Sequence, residues 1–162
     1  MTSLIVEDGT KVPNSNTYVS ADDFITYCTD RGYTIDSTLA TQYLILAMDY
    51  LESLQYIGTK SILSQSLQWP RYNVVIDTWW VPYNTIPVQL VRSQCEIALQ
   101  ISKSNDPLQD RPRNTKREKV GDIEVEYAPG ASSIIVPVKI MSQLWKLLQG
   151  GSSGGSFAVS RA

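Results

Sequence analysis

The feature that most constrains the fold is an apolar repeat between residues 39 and 54. Large apolar side chains and one alanine recur there at steps of three and four residues, at Leu39, Tyr43, Leu46, Ala47, Tyr50, Leu51 and Leu54. This spacing predicts an amphipathic α-helix with one wide apolar side toward a core. Asp36, Ser37 and Thr38 are candidate N-caps of this helix, and Gly58 is its expected end.

Three further segments show helical periodicity. The first runs from Ser20 to Gly32 and opens with the spacing of a capping box. The second runs from near Thr85 to just before Asn105, and the third from about Pro137 to Gly150. The expected inner face of this last helix is Val138, Met141, Leu144, Trp145 and Leu148. The sequence therefore predicts a mainly α fold, a small bundle of about four helices.

Other segments predict non-helical structure. Residues 116–127 alternate apolar and charged side chains around Gly121-Asp122, which predicts a β-hairpin insertion over about residues 115–128. We expect Glu124 and Glu126 on its second arm to face Arg117 and Lys119 on the first as ion pairs. Residues 67–87 hold three tryptophans and three prolines, so they predict an ordered aromatic loop.

The same patterns predict the domain organisation. Residues 1–148 are expected to form a single domain with an extended N-terminal arm, and residues 149–162 a flexible Gly/Ser tail. A chain of this size can bury a core without disulfides. Cys28 and Cys95 are therefore expected to be small apolar residues of two helices.

The composition excludes several kinds of chemistry. The chain has no histidine, which removes Ser-His-Asp and Cys-His nucleophiles and histidine-ligated zinc, and two cysteines cannot form a four-thiolate zinc site. No glycine loop joins a strand to a helix, so no phosphate-binding loop is expected. We expect no enzyme activity, cofactor or metal. Without a signal-peptide pattern or a long apolar run, we expect a soluble protein of a reducing cytoplasm with no membrane contact.

Charge is unevenly distributed along the chain. The formal net charge is −2, yet residues 1–56 hold eight acids against two bases, and the remainder holds twelve bases against eight acids. Five of these bases form a cluster: Arg111, Arg113, Lys116, Arg117 and Lys119. The cluster is a candidate contact for a phosphate backbone or for an acidic surface of a neighbouring subunit. The alternative is a solvated loop with two of its bases paired to hairpin acids.

Aromatic and apolar residues supply two further candidate contacts. Trp69, Arg71, Trp79 and Trp80 are either core and loop anchors or anchors of a protein–protein interface. The Gly/Ser tail contains Phe157-Ala158-Val159, and an apolar segment at the end of a flexible linker is consistent with docking onto a partner.

Several motifs together resemble a known family. They are Val6-Glu7-Asp8-Gly9-Thr10, Gln68-Trp69-Pro70-Arg71 and, most specifically, the segment from Lys116 to Tyr127. Over about residues 5–148 the chain resembles the head–tail connector adaptors, or neck proteins, of tailed bacteriophages. Members of this group are often labelled DnaT-like single-stranded-DNA-binding proteins.

The resemblance implies a structural virion protein without catalytic residues, made in the cytoplasm of the host bacterium. Its expected assembly is a ring of about twelve copies beneath the portal protein. This ring would join the DNA-filled head to a downstream neck or tail protein and would line the channel for the packaged double-stranded DNA. By analogy, the candidate portal-docking residues are Val138, Met141, Leu144, Trp145, Leu148, Phe157 and Val159. The alternative function is single-stranded-DNA binding of the replication type.

Overall fold

The computed structural model describes residues 3–105, 107–108, 117–120, 123–126 and 138–149. These residues form four helices: α1 Ala21–Thr29, α2 Ser37–Glu52, α3 Val88–Ser102 and α4 Val138–Leu144. They also form six short strands: β1 Thr59–Lys60, β2 Arg71–Tyr72, β3 Val75–Ile76, β4 Trp79–Trp80, β5 Arg117–Val120 and β6 Ile123–Glu126. The strands pair in chain order as three antiparallel two-stranded ribbons. The predicted mainly α fold with a hairpin is confirmed.

Helix α3 is the centre of the structure, because it packs against α1, α2 and α4. Every residue from Ser93 to Leu99 is buried, so this helix has no solvent-facing side along two turns. Its buried Gln94 joins three elements: the side-chain oxygen accepts from the Tyr18 backbone N–H at 3.0 Å, and Nε2 donates to Thr17 Oγ1 and to the Leu44 carbonyl. The N-terminal arm and α2 are thereby fixed to the same core helix.

The starts of the first two helices follow the predicted capping residues. Ser20 Oγ accepts from the Asp23 N–H at 3.1 Å, and Asp36 Oδ1 accepts from the Thr38 N–H at 2.9 Å. The predicted end of α2 at Gly58 is wrong, because α2 ends at Glu52. Gly58 has a φ of +73°, and a Cβ there would lie 2.3 Å from the backbone oxygen of Tyr72. Glycine is required at this position because the backbone passes close to β2, and not because a helix ends there.

The expected inner faces of α2 and α4 need correction. The buried residues of α2 are Ala40, Leu44, Ala47, Met48, Tyr50 and Leu51, whereas Leu39 is exposed. In α4 and the turn after it, Ile140, Leu144 and Leu147 are buried, and Val138 is 84% exposed. Both segments carry two adjacent apolar stripes at helical spacing, and periodicity alone does not decide which stripe faces the core.

The N-terminal arm is ordered by one buried carboxylate. Glu7 is 2% exposed, and its Oε1 accepts from the backbone N–H groups of Gly9 and Lys11. Its Oε2 accepts from the Val12 N–H at 2.8 Å and from the Ser15 hydroxyl at 3.2 Å. The segment that starts at Val6 therefore folds around the Glu7 carboxylate, which accepts hydrogen bonds from donors that would otherwise lack a partner.

The predicted hairpin is present in its expected register. Arg117 lies opposite Glu126 and Lys119 opposite Glu124 across β5 and β6. This register places each of these bases opposite an acid, and the ion pairs between them stay a prediction. Gly121-Asp122, the expected turn, and residues 150–162 of the expected tail lie outside the described residues.

Candidate functional site

The loop between α2 and α3 presents an unusual group of exposed aromatic side chains. Trp79 is 79% exposed and Trp80 is 70% exposed, and Tyr72 and Tyr83 are also exposed. We call these four residues the aromatic surface. Isolated exposed apolar residues are common, but several large ones within one loop make it a candidate interaction site.

The two indoles are presented by a small ribbon. In the pairing of β3 with β4, Ile76 lies opposite Trp79, so Asp77 and Thr78 form a two-residue turn. Both turn residues have positive φ, 50° and 73°, as a type I′ hairpin turn requires. The adjacent residues Trp79 and Trp80 point to opposite faces of the strand. The ribbon is anchored at its base, where the Val81 N–H donates to the carbonyl of the fully buried Val74 at 2.9 Å.

The tyrosines of the aromatic surface are already stacked. The Tyr72 and Tyr83 rings lie 4.8 Å apart between centroids with an interplanar angle of 17°. The Lys11 ammonium lies 4.6 Å from the Tyr83 centroid, a cation–π contact. Ser61 Oγ donates to the Tyr83 carbonyl at 3.0 Å and fixes the loop from the other side. Two stacked rings with a cation over one of them thus flank the tryptophan ribbon in the sequence, one on each side of it.

The other two predicted anchors have an internal role. Trp69 is fully buried and contacts the Tyr56 ring edge to face, at 6.0 Å between centroids. The Arg71 guanidinium donates to the carbonyls of Tyr56, Ile57, Gly58 and Gln68 and to the Gln68 side chain. The four candidates therefore divide: Trp69 and Arg71 hold the loop, whereas Trp79 and Trp80 face solvent.

Helix α4 is attached to the core through Glu96, whose side chain is only 5% exposed. The carboxylate accepts hydrogen bonds from the Tyr27 hydroxyl, at 2.6 Å, and from Lys139 of α4, and it lies 3.9 Å from Arg31. Burial alone would raise the pKa of Glu96. The hydrogen bonds from Lys139 and Tyr27, together with the two nearby cations, outweigh burial and lower this pKa below its ordinary value.

The attachment leaves an apolar stripe of α4 uncovered. Val138 and Met141 of α4 and Trp145 of the turn that continues it are exposed and follow one another at steps of three and four residues, so they share one side. We call these three residues the α4 stripe. Of the other candidate docking residues, Leu144 is in the core and Leu148 is half-buried in a bridge with Tyr56. Phe157 and Val159 lie outside the described residues.

Most of the candidate basic cluster falls outside the described residues. Arg111, Arg113 and Lys116 lie outside the described residues, and only the backbone positions of Arg117 and Lys119 are described. In the described part of the chain, no group of cysteine, aspartate and glutamate side chains could hold a metal ion. Within the same residues, no helix is long and apolar enough to cross a membrane.

A family model described as "Putative DnaT-like ssDNA binding protein" matches residues 2–162. The chain belongs to this family. None of the curated proteins and none of the solved structures matches it.

In this member of the DnaT-like family, sequence reasoning missed several residues around the two tryptophans. Tyr72, Tyr83 and Lys11 were not candidates, since nothing local distinguishes them from core tyrosines and a solvated lysine. Lys146 was also missed, although it donates to both carboxylate oxygens of Asp77 and lies 5.6 Å from the Trp145 centroid. The aromatic content of residues 67–87 was the available signal, and it indicated the region without showing which rings are exposed.

Proposed function

We propose that the protein binds single-stranded DNA and that unpaired bases stack on the aromatic surface. The observation that carries the proposal is the exposure of two adjacent indoles, 79% for Trp79 and 70% for Trp80, on an anchored ribbon. Proteins that bind single strands combine aromatic stacking platforms with cations that contact the phosphates. The description of the family names the same ligand class.

The arrangement matches the chemistry of an unpaired strand. Each base offers a flat π-face, so stacking on an aromatic ring tolerates any sequence. Lys11 lies at the tyrosine pair and can contact a phosphate while bases stack nearby. A net charge of −2 is compatible with this function because the cations need only be local to the rings. The protein acts in this proposal by contact alone, without catalysis or a cofactor.

Fluorescence anisotropy of a labelled oligothymidine of about 16 nucleotides, at low salt, tests the proposal. Trp79→Ala and Trp80→Ala are each expected to weaken binding at least about fivefold, because base–aromatic stacking contributes about 1–3 kcal/mol per base. Tyr33→Ala is the matched control. Tyr33 is also exposed and also has a lysine over its ring, with Lys103 Nζ 3.8 Å from the ring centroid, but it lies in the connection between α1 and α2.

The outcomes separate clearly. No anisotropy change with wild-type protein at low salt would exclude single-stranded-DNA binding. Equal dissociation constants for wild type, Trp79→Ala and Trp80→Ala would show that the strand binds elsewhere, and the basic cluster would then be the next site to substitute.

A second candidate function is that of a head–tail connector adaptor in the phage virion, and the α4 stripe favours it. Three exposed apolar residues on one side of a helix are typical of a helix face that docks onto a protein partner. In this proposal α4 and the segment with Phe157 and Val159 contact the portal protein. Copies of the chain form a ring of about twelve that lines the channel for double-stranded DNA above the next neck or tail protein.

Native mass spectrometry with purified portal protein distinguishes this function from the first. An adaptor is expected to form a ring only in the presence of the portal, and Val138→Asp, at an 84% exposed position, should prevent ring formation without unfolding the protein. Charge reversal of Arg113, Arg117 and Lys119 to Glu should also impair the ring if the basic cluster faces a neighbouring subunit. A monomer that is unchanged by the portal would exclude the adaptor function.

A further inference from the structure

We infer that Lys146 is a further phosphate contact of the single-stranded-DNA site and that Asp77 occupies its ammonium group until the strand displaces it. This inference rests on the proposed single-stranded-DNA binding. Lys146 follows α4, and Asp77 lies in the turn between β3 and β4. Lys146 Nζ donates to the two Asp77 carboxylate oxygens at 2.6 and 2.7 Å.

The position of this ion pair connects it to the aromatic surface. Asp77 lies two residues before Trp79, at the tip of the ribbon that presents both indoles. On its other side, the Lys146 ammonium lies 5.6 Å from the ring centroid of the exposed Trp145. Lys146 thus contacts one exposed aromatic ring directly and reaches the turn of the ribbon that carries two more. Proteins that bind single strands combine cations that follow the backbone with aromatic rings on which bases stack.

A phosphate can replace the carboxylate because the two groups offer the ammonium the same chemistry. Each is a monoanion with two oxygens that accept charge-assisted hydrogen bonds. The side chain of Lys146 is 35% exposed and that of Asp77 is 66% exposed, so solvent reaches the pair. Exposed ion pairs contribute little to stability, and Asp77 can return to water when a phosphodiester takes its place. Until then, Asp77 cancels the positive charge by which Lys146 would attract a phosphate.

The turn geometry provides a clean substitution. Asp77 has a φ of 50°, a left-handed conformation that asparagine adopts at least as readily as aspartate. Asp77→Asn therefore removes the charge and keeps the turn. Asp49→Asn is the matched control, because Asp49 is an exposed acid of α2 whose removal changes the net charge by the same amount.

The experiment is a salt series of anisotropy titrations with the labelled oligothymidine. Asp77→Asn should bind more tightly than wild type at low salt, because the strand no longer has to displace a carboxylate from Lys146. Lys146→Gln should make the plot of log Kd against log salt concentration shallower by about 0.7, the value for one lost phosphate contact on a single strand. Between about 50 and 200 mM salt this variant should therefore lose about threefold less affinity than wild type. Asp49→Asn should keep the wild-type affinity and slope, and the D77N/K146Q double variant should keep the shallow slope of Lys146→Gln.

Lys146→Gln provides a second measurement that leaves the ribbon turn intact. It should also bind more weakly than wild type, because a phosphate contact is lost and Asp77 then presents an unneutralised charge to the strand. Wild-type binding with equal affinities for Asp77→Asn and Asp49→Asn, or with a wild-type slope for Lys146→Gln, would overturn this inference and leave the proposed function in place. Absence of binding by both wild type and Asp77→Asn would overturn both.

Discussion

Glu96→Gln tests whether the buried carboxylate holds α4 to the core. The substitution preserves the shape of the side chain but removes the negative charge that strengthens the hydrogen bonds from Tyr27 and Lys139. A hydrogen bond to a charged group contributes about 1 kcal/mol more than a neutral one. Two such bonds amount to about 2 kcal/mol, and the lower desolvation cost of an amide offsets part of this. We expect a loss of about 1.5 kcal/mol, or about 4 °C in Tm for a chain of this size.

The pH dependence separates charge from shape. The pKa of Glu96 in the folded protein is lowered below its ordinary value of 4.5. A lowered carboxyl pKa stabilises the fold above the unfolded-state pKa, and this contribution is lost as pH falls through the folded-state pKa. Urea unfolding should therefore show wild type more stable than Glu96→Gln at about pH 7, and the difference should disappear as the pH falls through the lowered folded-state pKa of Glu96.

Two results would refute this reasoning. One is equal stability of wild type and Glu96→Gln at neutral pH, and the other is a difference of the same size in acid. Asp77→Asn is the control for an exposed ion pair, and it should change the free energy of unfolding by less than about 1 kcal/mol. In a Lys139→Gln background the effect of Glu96→Gln should decrease, because the partner of the ion pair is already absent.

Three further predictions concern stability and reactivity. Glu7→Gln should lower the free energy of unfolding by about 2–3 kcal/mol, as measured in a thermal melt. Both carboxylate oxygens of Glu7 accept hydrogen bonds, from three backbone N–H groups and a hydroxyl, and the NH₂ group of glutamine cannot accept them. An unchanged Tm would contradict this. Gly58→Ala should destabilise the protein more than Gly32→Ala. Both positions have positive φ, but a Cβ at Gly58 meets backbone at 2.3 Å, whereas one at Gly32 has nothing within 4 Å. Equal decreases in the free energy of unfolding for the two variants would show that the positive φ, and not the close contact, causes the destabilisation. Burial raises the pKa of the Cys28 thiol to about 11 and that of the Cys95 thiol to about 12. A thiol reagent at about pH 8 should therefore modify them only in denaturant, and rapid modification of the native protein would refute this.

The parts of the fold that the sequence predicted are those with local causes. Ser20 and Asp36 cap their helices through hydrogen bonds that span two or three residues, so residue type and spacing were sufficient. The hairpin register likewise follows from alternation around a two-residue connection. The predicted helix end at Gly58 was wrong because glycine occurs both at helix ends and at close contacts between backbone segments. Its actual constraint is the Tyr72 carbonyl on a strand that the helical pattern does not show.

The candidate site was only partly predictable for a related physical reason. Trp69 and Trp79 occur in one aromatic loop, yet the first is fully buried and the second is 79% exposed. Their burial depends on which ring the loop folds inward, and that is decided by contacts such as the Tyr56–Trp69 pair. The Asp77–Lys146 pair spans 69 residues, and no local pattern connects two exposed charges at that separation.

The two candidate surfaces are physically joined, and this bears on how they could act together. Lys146 bonds to the ribbon that carries Trp79 and Trp80, and it immediately follows Trp145 of the α4 stripe. A strand that takes Lys146 from Asp77 therefore removes a tether between the ribbon and the end of α4, while Glu96 still holds the start of this helix through Lys139. A partner that docks on the α4 stripe would meet the same lysine. Ligands of the two surfaces are thus expected to influence each other's affinity through a shared group, and such coupling must be reciprocal.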